Sequence, residues 1–116
     1  MRILIGALAV ALLAGCVSPT ISQMRDKGPA GTYTSAKSEG DLSKCVLFAW
    51  QDTSLAGSAP TVSIQPGRDG GTTVTTGGNE YFVDLKSAGS KTSARYYEVG
   101  DTWISRKLQP KLKSCL

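Results

Sequence analysis

The chain of 116 residues contains no histidine, and its 9 acidic residues are scattered along it. Without imidazole it can form neither a Ser-His nor a Cys-His nucleophile pair, and the commonest general base is missing. No Lys-Ser or Lys-Thr step closely follows Gly70-Gly71 or Gly77-Gly78, which argues against a phosphate-binding loop. We therefore expect a protein that is not an enzyme and uses no cofactor or metal. Two carboxylates brought together by folding, as in glycosidases, are the catalytic arrangement that the composition leaves open.

The chain also lacks an apolar run long enough to cross a bilayer, which needs about 20 residues. Its longest apolar run covers residues 3–13, follows Arg2, and is succeeded by Pro19 and a polar stretch. A positive residue, a short apolar segment and then small residues are typical of a secretory signal peptide. We therefore predict that residues 1–15 direct the chain to export.

The end of that segment, Leu13-Ala14-Gly15-Cys16, resembles the lipobox of bacterial lipoproteins. The resemblance implies that residues 1–15 are removed, that the Cys16 thiol carries a diacylglyceryl group, and that an acyl chain such as palmitate is added to the new amino terminus. It also implies lipid anchoring in the outer membrane, because Val17 stands where an aspartate would favour inner-membrane retention in enterobacterial lipoproteins. We expect the anchored protein to face the periplasm. The alternatives are an ordinary secretory signal cut near Gly15 and an anchor that is not processed.

Of the 3 cysteines, Cys45 and Cys115 remain once Cys16 is assigned to lipid. In an oxidising periplasm, a leftover pair in a small domain predicts a disulfide. A loop of about 70 residues gives roughly 4 kcal/mol in the chain-entropy estimate, so we expect the bond to be structural. A metal site is disfavoured by the lack of histidine and of a Cys-x-x-Cys spacing. A reactive thiol is disfavoured because no neighbour in the sequence is arranged to activate it.

Residues 17–34 are rich in Ser, Thr, Gly and Pro and show no apolar periodicity. Together with Cys16 they predict a flexible tether over residues 16–34, with a reach of about 25 Å. The remaining residues, 35–116, are enough for one small domain. Without Arg2 the 13 basic residues become 12 against 9 acidic ones, a net charge of +3.

Much of this positive charge lies near the C-terminus, where only Asp101 accompanies the basic residues Arg106, Lys107, Lys111 and Lys113. Such a patch is either a solvated face or a contact for anionic lipid headgroups, lipopolysaccharide phosphates or acidic groups of the cell wall. Four charges mixed with leucines and a proline fall short of a nucleic-acid-binding stripe, so we expect no nucleic-acid partner.

Apolar periodicity predicts one helix followed by four strands. Ser38 lies three residues before Asp41, a spacing like that of a capping box. A helical stripe then follows, formed by Leu42, Cys45, Val46, Ala49 and Trp50. Residues 46–50 would also suit a buried strand, which is the alternative. After Pro60, alternating residues and glycine-rich turns predict strands over residues 61–65, 72–76, 81–85 and 92–99, paired as an antiparallel meander.

The C-terminal segment is predicted to begin with a helix that Asp101 caps and that Pro110 stops or kinks. We expect this helix to end near Leu108 and an extended tail to return Cys115 to the first helix. The predicted fold class is α+β: an N-terminal helix packed on a four-stranded antiparallel meander, a short C-terminal helix or extended tail, and one disulfide.

Large aromatic rings in a small domain mostly fill its core, and we predict this for Trp50 and Trp103. Tyr96 and Tyr97 are adjacent in a predicted strand, so they point to opposite faces and one of them should be exposed. That tyrosine, together with Arg95 or Arg106, is the candidate binding surface.

The predicted function is that of a membrane-anchored envelope lipoprotein that acts as a non-enzymatic interaction or accessory module. Its partner would be an envelope protein, lipopolysaccharide or peptidoglycan. In its signal and general layout the chain resembles small lipoproteins of proteobacteria and their prophages, some of which act in superinfection exclusion.

The alternative function is a periplasmic lysozyme inhibitor of the membrane-bound C-type family, which are small, disulfide-bearing, β-rich lipoproteins. Residues 87–96 loosely resemble that family's Ser-Gly-Ser-Gly-x-x-Tyr stretch, interrupted here by Lys91, Thr92 and Ser93. A helix before the first strand does not suit the eight-stranded barrel that this resemblance implies. A positively charged domain is also a poor complement to basic lysozyme.

Overall fold

The computed structural model describes residues 19–116. This part of the chain forms helices α1 (Ile21–Lys27), α2 (Glu39–Gln51) and α3 (Ser105–Cys115). Its strands are β1 (Gly31–Ser35), β2 (Val62–Pro66), β3 (Thr72–Thr76), β4 (Tyr81–Ala88) and β5 (Lys91–Glu98). They form one antiparallel sheet in the order β1-β5-β4-β3-β2, so the predicted α+β class is confirmed. Within residues 19–116 no helix is long and apolar enough to cross a bilayer.

The four predicted strands correspond to β2, β3, β4 and β5, and the predicted meander is confirmed. Alternate residues of β4 and β5, among them Val83, Leu85 and Tyr96, lie in the large core, whereas β2 and β3 each contribute one residue to it, Val62 and Val74. The turn between β2 and β3 contains Gly71, whose φ is +82° and whose missing Cβ would lie 2.2 Å from the Leu85 carbonyl oxygen. Only glycine fits this position, because an L side chain would be strained and would also collide with β4.

The prediction of a flexible tether is wrong for residues 20–34, because they fold onto the sheet. Strand β1 pairs with β5 from Gly31 opposite Tyr96 to Ser35 opposite Thr92, which makes the sheet five-stranded rather than four-stranded. Helix α1 begins with a capping box in which the Thr20 side chain accepts from the Gln23 backbone and the Gln23 side chain accepts from the Thr20 backbone. Residues 20–34 therefore belong to the domain, and the predicted boundary at residue 35 is wrong.

Helices cover both faces of the sheet. On one face, Met24 of α1 packs with Phe82 and Tyr97. On the other face lies the larger core, to which α2, α3 and four strands contribute. Its fully buried large side chains include Leu42, Val46, Trp50, Val74, Leu85, Tyr96, Leu108 and Leu112.

Helix α2 forms over the residues that the sequence predicts, and its N-cap Ser38 accepts a hydrogen bond from the Asp41 backbone at 3.1 Å. The prediction that it is the N-terminal helix is wrong, because α1 and β1 precede it. Helix α3 differs from the predicted short helix with an extended tail, because it continues through Pro110 to Cys115. Pro110 lies on the exposed side of α3, while Leu108, Leu112 and Cys115 are completely buried. Packing of this buried side compensates for the backbone hydrogen bond that proline cannot donate.

The disulfide between Cys45 and Cys115 is confirmed. It joins α2 to the end of α3, with the two Cα atoms 5.8 Å apart, and it closes a loop of 70 residues. The first helix of the large core and the end of the chain are therefore covalently held together on one face of the sheet. Cys16 and the predicted signal peptide lie outside the described residues.

Candidate functional site

Helix α1 covers only part of its sheet face, and the uncovered part forms a polar groove of about 410 Å³. The α1 side chains, the β2–β3 turn and the outer side of β4 and β5 form its walls and floor. We call it the basic groove and define it by its charged residues, which are Arg25, Arg68, Lys86 and Arg95 with Asp26, Asp69 and Asp84.

One basic residue of the groove is neutralised by an ion pair. The Arg25 guanidinium donates from Nε to Asp84 Oδ2 at 2.8 Å and from Nη2 to Asp84 Oδ1 at 2.9 Å. The Thr73 hydroxyl donates to Asp84 Oδ1 at 2.6 Å, and the Arg25 guanidinium also lies 5.3 Å from the centre of the Phe82 ring. The hydrogen bond to Asp84 is the main cause that raises the pKa of Arg25. This pair therefore serves chiefly to fix α1 on the sheet.

The other basic residues of the groove are exposed at its rim. Arg68 reaches Ser22 of α1 with a weak hydrogen bond of 3.5 Å, and Lys86 donates to the Asp69 carbonyl oxygen at 3.0 Å. The ion pairs formed within residues 19–116 join Arg25 to Asp84 and Arg106 to Asp101, so these rim residues take part in neither. They are available to an anionic surface or ligand.

A second charged surface lies on the opposite side of the sheet, at the start of α3. We call it the Trp103 surface and define it by Trp103, Arg106, Lys107 and Lys111. The Trp103 side chain is 49% exposed, and the Lys107 ammonium lies 5.8 Å from the centre of its ring. Trp103 precedes α3 instead of packing under it, so its predicted place in the core is wrong, whereas Trp50 is completely buried as predicted.

Neither tyrosine of the predicted binding surface is exposed. Tyr96 is completely buried, lies edge-on to Trp50 with ring centres 6.3 Å apart, and shares a 2.6 Å hydrogen bond with the Ser105 hydroxyl. Burial is the main cause that raises its pKa. Tyr97 stacks on Phe82 with ring centres 4.7 Å apart and is only 3% exposed, because α1 covers it. The expectation that one tyrosine lies at the surface is therefore wrong.

The structure also separates the two arginines of the predicted surface. Arg95 lies in the basic groove beside Tyr97, whose pKa is raised chiefly by burial. Arg106 lies on the Trp103 surface, across the sheet, and forms an exposed ion pair of 3.3 Å with Asp101. The sequence does not predict that Arg25, Arg68 and Lys86 lie beside Arg95. The Thr20 and Gln23 spacing was the signal that could have revealed the helix carrying Arg25.

Within residues 19–116, Ser105 carries a hydroxyl in contact with two titratable side chains, Glu98 and Tyr96, and we therefore considered it as a possible nucleophile. The Ser105 hydroxyl donates to the Glu98 carboxylate and also meets the Tyr96 hydroxyl. Ser105 is 1% exposed, so a substrate cannot reach it. In the same part of the chain no group of three or more Cys, Asp or Glu side chains is placed to hold a metal ion. The contact links α3 to β5 and has a structural role.

Comparison of the chain with models of protein families, with curated proteins and with solved structures gives no match.

Proposed function

We propose that this chain is a lipid-anchored protein of the cell envelope that binds an anionic partner through the Trp103 surface and catalyses no reaction. The Leu13-Ala14-Gly15-Cys16 motif supports the anchor, since it combines with a preceding apolar run and Arg2. The disulfide supports an oxidising compartment such as the periplasm. Val17, at the position where an aspartate would favour inner-membrane retention, supports the outer-membrane part of the proposal. The proposal places the domain on the periplasmic side.

The half-exposed Trp103 beside basic side chains is the observation that carries the binding proposal. Tryptophan and arginine are enriched among the residues that dominate binding energy, because they combine a large contact area with polar groups. Lys107 and Lys111 line the same surface cleft as Arg106, and neither lysine takes part in an ion pair of residues 19–116, whereas Arg106 is paired with Asp101. An acidic partner would therefore meet the charge of the two lysines next to an apolar ring. Acidic protein surfaces, lipopolysaccharide phosphates and peptidoglycan carboxylates have this chemistry.

Binding is tested with the full-length lipoprotein and three probes: purified peptidoglycan, lipopolysaccharide micelles, and covalent crosslinking in whole cells. Trp103→Ala should weaken the binding to the partner by at least about tenfold, as removal of a central aromatic residue does. Phe48→Ala is the matched control, because Phe48 is 59% exposed but lies on α2. Equal binding by both variants and the unchanged protein would contradict a role for the Trp103 surface.

The anchor is tested separately by Cys16→Ala. We expect this variant to leave the membrane fraction or to accumulate as the uncleaved precursor. Normal cleavage together with unchanged membrane retention would contradict lipidation at Cys16.

The alternative, a lysozyme inhibitor, shares with this chain a disulfide and a sheet-rich domain. Its support is weaker because a five-stranded sheet with helices on both faces differs from the barrel that the family resemblance implies. Stoichiometric inhibition of hen lysozyme would favour this alternative over the anionic-partner proposal.

A further inference from the structure

We infer that the basic groove faces the bilayer and rests on its anionic headgroups, while the Trp103 surface points away from the membrane. The inference deepens the proposed function and depends on its lipid anchor at Cys16. It identifies the occupant of the basic groove as the phosphate layer of the membrane that holds the lipid.

The length of the connection to the lipid is the first observation. The capping box at Thr20 already belongs to the folded domain, so at most residues 17–19 separate the domain from Cys16. Even a fully extended connection from Cys16 to Thr20 spans at most about 14 Å. The domain therefore stays close to the membrane, in contrast to the predicted tether with its longer reach.

The position of α1 determines which face lies next to the membrane. Helix α1 follows directly after the connection, and its residues Ser22, Arg25 and Asp26 border or line the basic groove. Helix α3 lies on the other side of the sheet, because Tyr96 contacts Ser105 of α3 whereas its neighbour Tyr97 packs with Met24 of α1. A helix is about 10 Å wide, so two helices and a sheet separate the Trp103 surface from the α1 face by more than about 20 Å.

The charge of the groove matches an anionic membrane. Arg25 is neutralised by Asp84, but Arg68, Lys86 and Arg95 take part in neither ion pair of residues 19–116. A basic side chain near an anionic bilayer changes the ratio of docked to undocked domains by about fivefold. Asp26 and Asp69 oppose this attraction, and the net effect is modest. A modest attraction is sufficient to keep the groove on the bilayer, because the lipid anchor holds the domain next to the headgroups. Docking is then an intramolecular step, and the headgroups are present at a high effective concentration.

A soluble protein partner fits the groove less well than the membrane does. A domain of 100 residues has a radius of gyration of about 13 Å, so it needs more room than a connection of about 14 Å allows beneath α1. The Trp103 surface has no such restriction. The short connection thus assigns the two charged surfaces to different partners.

The docking is tested by labelling lysines of the full-length lipoprotein with an amine-reactive reagent that does not cross membranes. The protein is inserted from outside into vesicles of phosphatidylglycerol and phosphatidylcholine, and flotation first confirms that it is bound. Mass spectrometry then compares Lys86 in the groove with Lys111 on the Trp103 surface, each relative to the same protein in neutral detergent. We expect labelling of Lys86 to fall by about tenfold and labelling of Lys111 to stay unchanged.

Two variants separate docking from anchoring. Arg68→Gln combined with Arg95→Gln should float with the vesicles but restore Lys86 labelling to near the detergent level. Insertion of twelve Gly and Ser residues between Pro19 and Thr20 should also restore it, because the longer connection lowers the effective concentration. Vesicles of phosphatidylcholine alone should give little protection of Lys86.

A protein that floats but shows equal labelling of Lys86 in vesicles and detergent would overturn the docking while leaving the lipid anchor intact. Protection of Lys111 in place of Lys86 would overturn it as well, because the opposite face would then contact the membrane. A protein that does not float would contradict the anchor and the docking together.

Discussion

Arg25 and Asp84, which are 59 residues apart in sequence, form a two-point ion pair that joins α1 to the centre of the sheet. Their side chains are only 17% and 24% exposed, so water screens the pair less than it would at the surface. The pair explains how a helix of seven residues with one buried side chain, Met24, stays on the sheet.

Asp84→Asn should lower the free energy of unfolding by about 1–3 kcal/mol, because it leaves the Arg25 charge partly buried without its counter-charge. Hydrogen exchange should accelerate in residues 20–28 more than in β4 or β5. Asp101→Asn is the control, since its pair with Arg106 is 67% and 78% exposed and should contribute less than about 1 kcal/mol. Equal losses of stability in the two variants would contradict the role given to the Arg25–Asp84 pair.

This N-terminal region also shows where prediction from sequence reached its limit. A helix of seven residues with one buried side chain gives no readable apolar period, and Ser, Thr, Gly and Pro around it suggest a flexible segment. Its stability comes from contacts with residues far away in the sequence, chiefly Asp84 and Phe82. Tertiary contacts of this kind stabilise most short helices and leave little local signal.

Glu39 should make the stability of the domain sensitive to acid. Its carboxylate accepts hydrogen bonds from the Thr72 hydroxyl at 2.7 Å and from the Ser87 backbone at 3.0 Å, and so joins the start of α2 to β3 and β4. The bond from Thr72 is the main cause that lowers its pKa. A lowered folded-state pKa gives stability that is present above the unfolded value of about 4.3 and is lost as the pH falls through the folded value.

The measurement is the free energy of unfolding between pH 6 and pH 2.5. Glu39→Gln should be less stable than the unchanged protein near neutral pH, and the two should converge in acid. Parallel curves for the unchanged protein and Glu39→Gln would count against the assignment.

The Cys45–Cys115 bond should provide a large part of the stability of the domain. Closing a loop of 70 residues restricts the unfolded chain by roughly 4 kcal/mol. Replacing both cysteines by alanine should therefore lower the free energy of unfolding by about 2–5 kcal/mol. Reduction of the unchanged protein should have a similar effect, and reductant should not affect the double variant. A stability that is insensitive to both changes would show that the bond is not structural.

The elements of the large core were predictable, but the exposure of individual aromatic residues was not. Helix α2 carries a clear period of apolar residues, which also placed Cys45 toward the core, and β4 and β5 carry apolar residues on their buried side. Strands β2 and β3 were predictable chiefly from β-branched residues and from the turns beside them. The sequence predicted that Tyr96 and Tyr97 point to opposite faces, yet it could not show that α1 covers the second face. Similarly, Pro110 predicts the end of a helix near Leu108. The sequence could not show that packing of Leu112 and Cys115 would stabilise α3 beyond the proline.

The two tryptophans should differ sharply in their contribution to stability, although the sequence assigned both to the core. Trp50 is completely buried, and its Nε1 donates a hydrogen bond of 2.9 Å to the Leu108 carbonyl oxygen between α2 and α3. Trp50→Phe removes this bond and leaves a cavity, so we expect a loss of about 2–4 kcal/mol. Trp103→Phe should change the free energy of unfolding by less than about 0.5 kcal/mol, because the side chain is half-exposed. Urea unfolding followed by circular dichroism measures both values without relying on tryptophan fluorescence. If Trp103→Phe were as destabilising as Trp50→Phe, Trp103 would contribute to the core and the surface proposed for partner binding would lose its central residue.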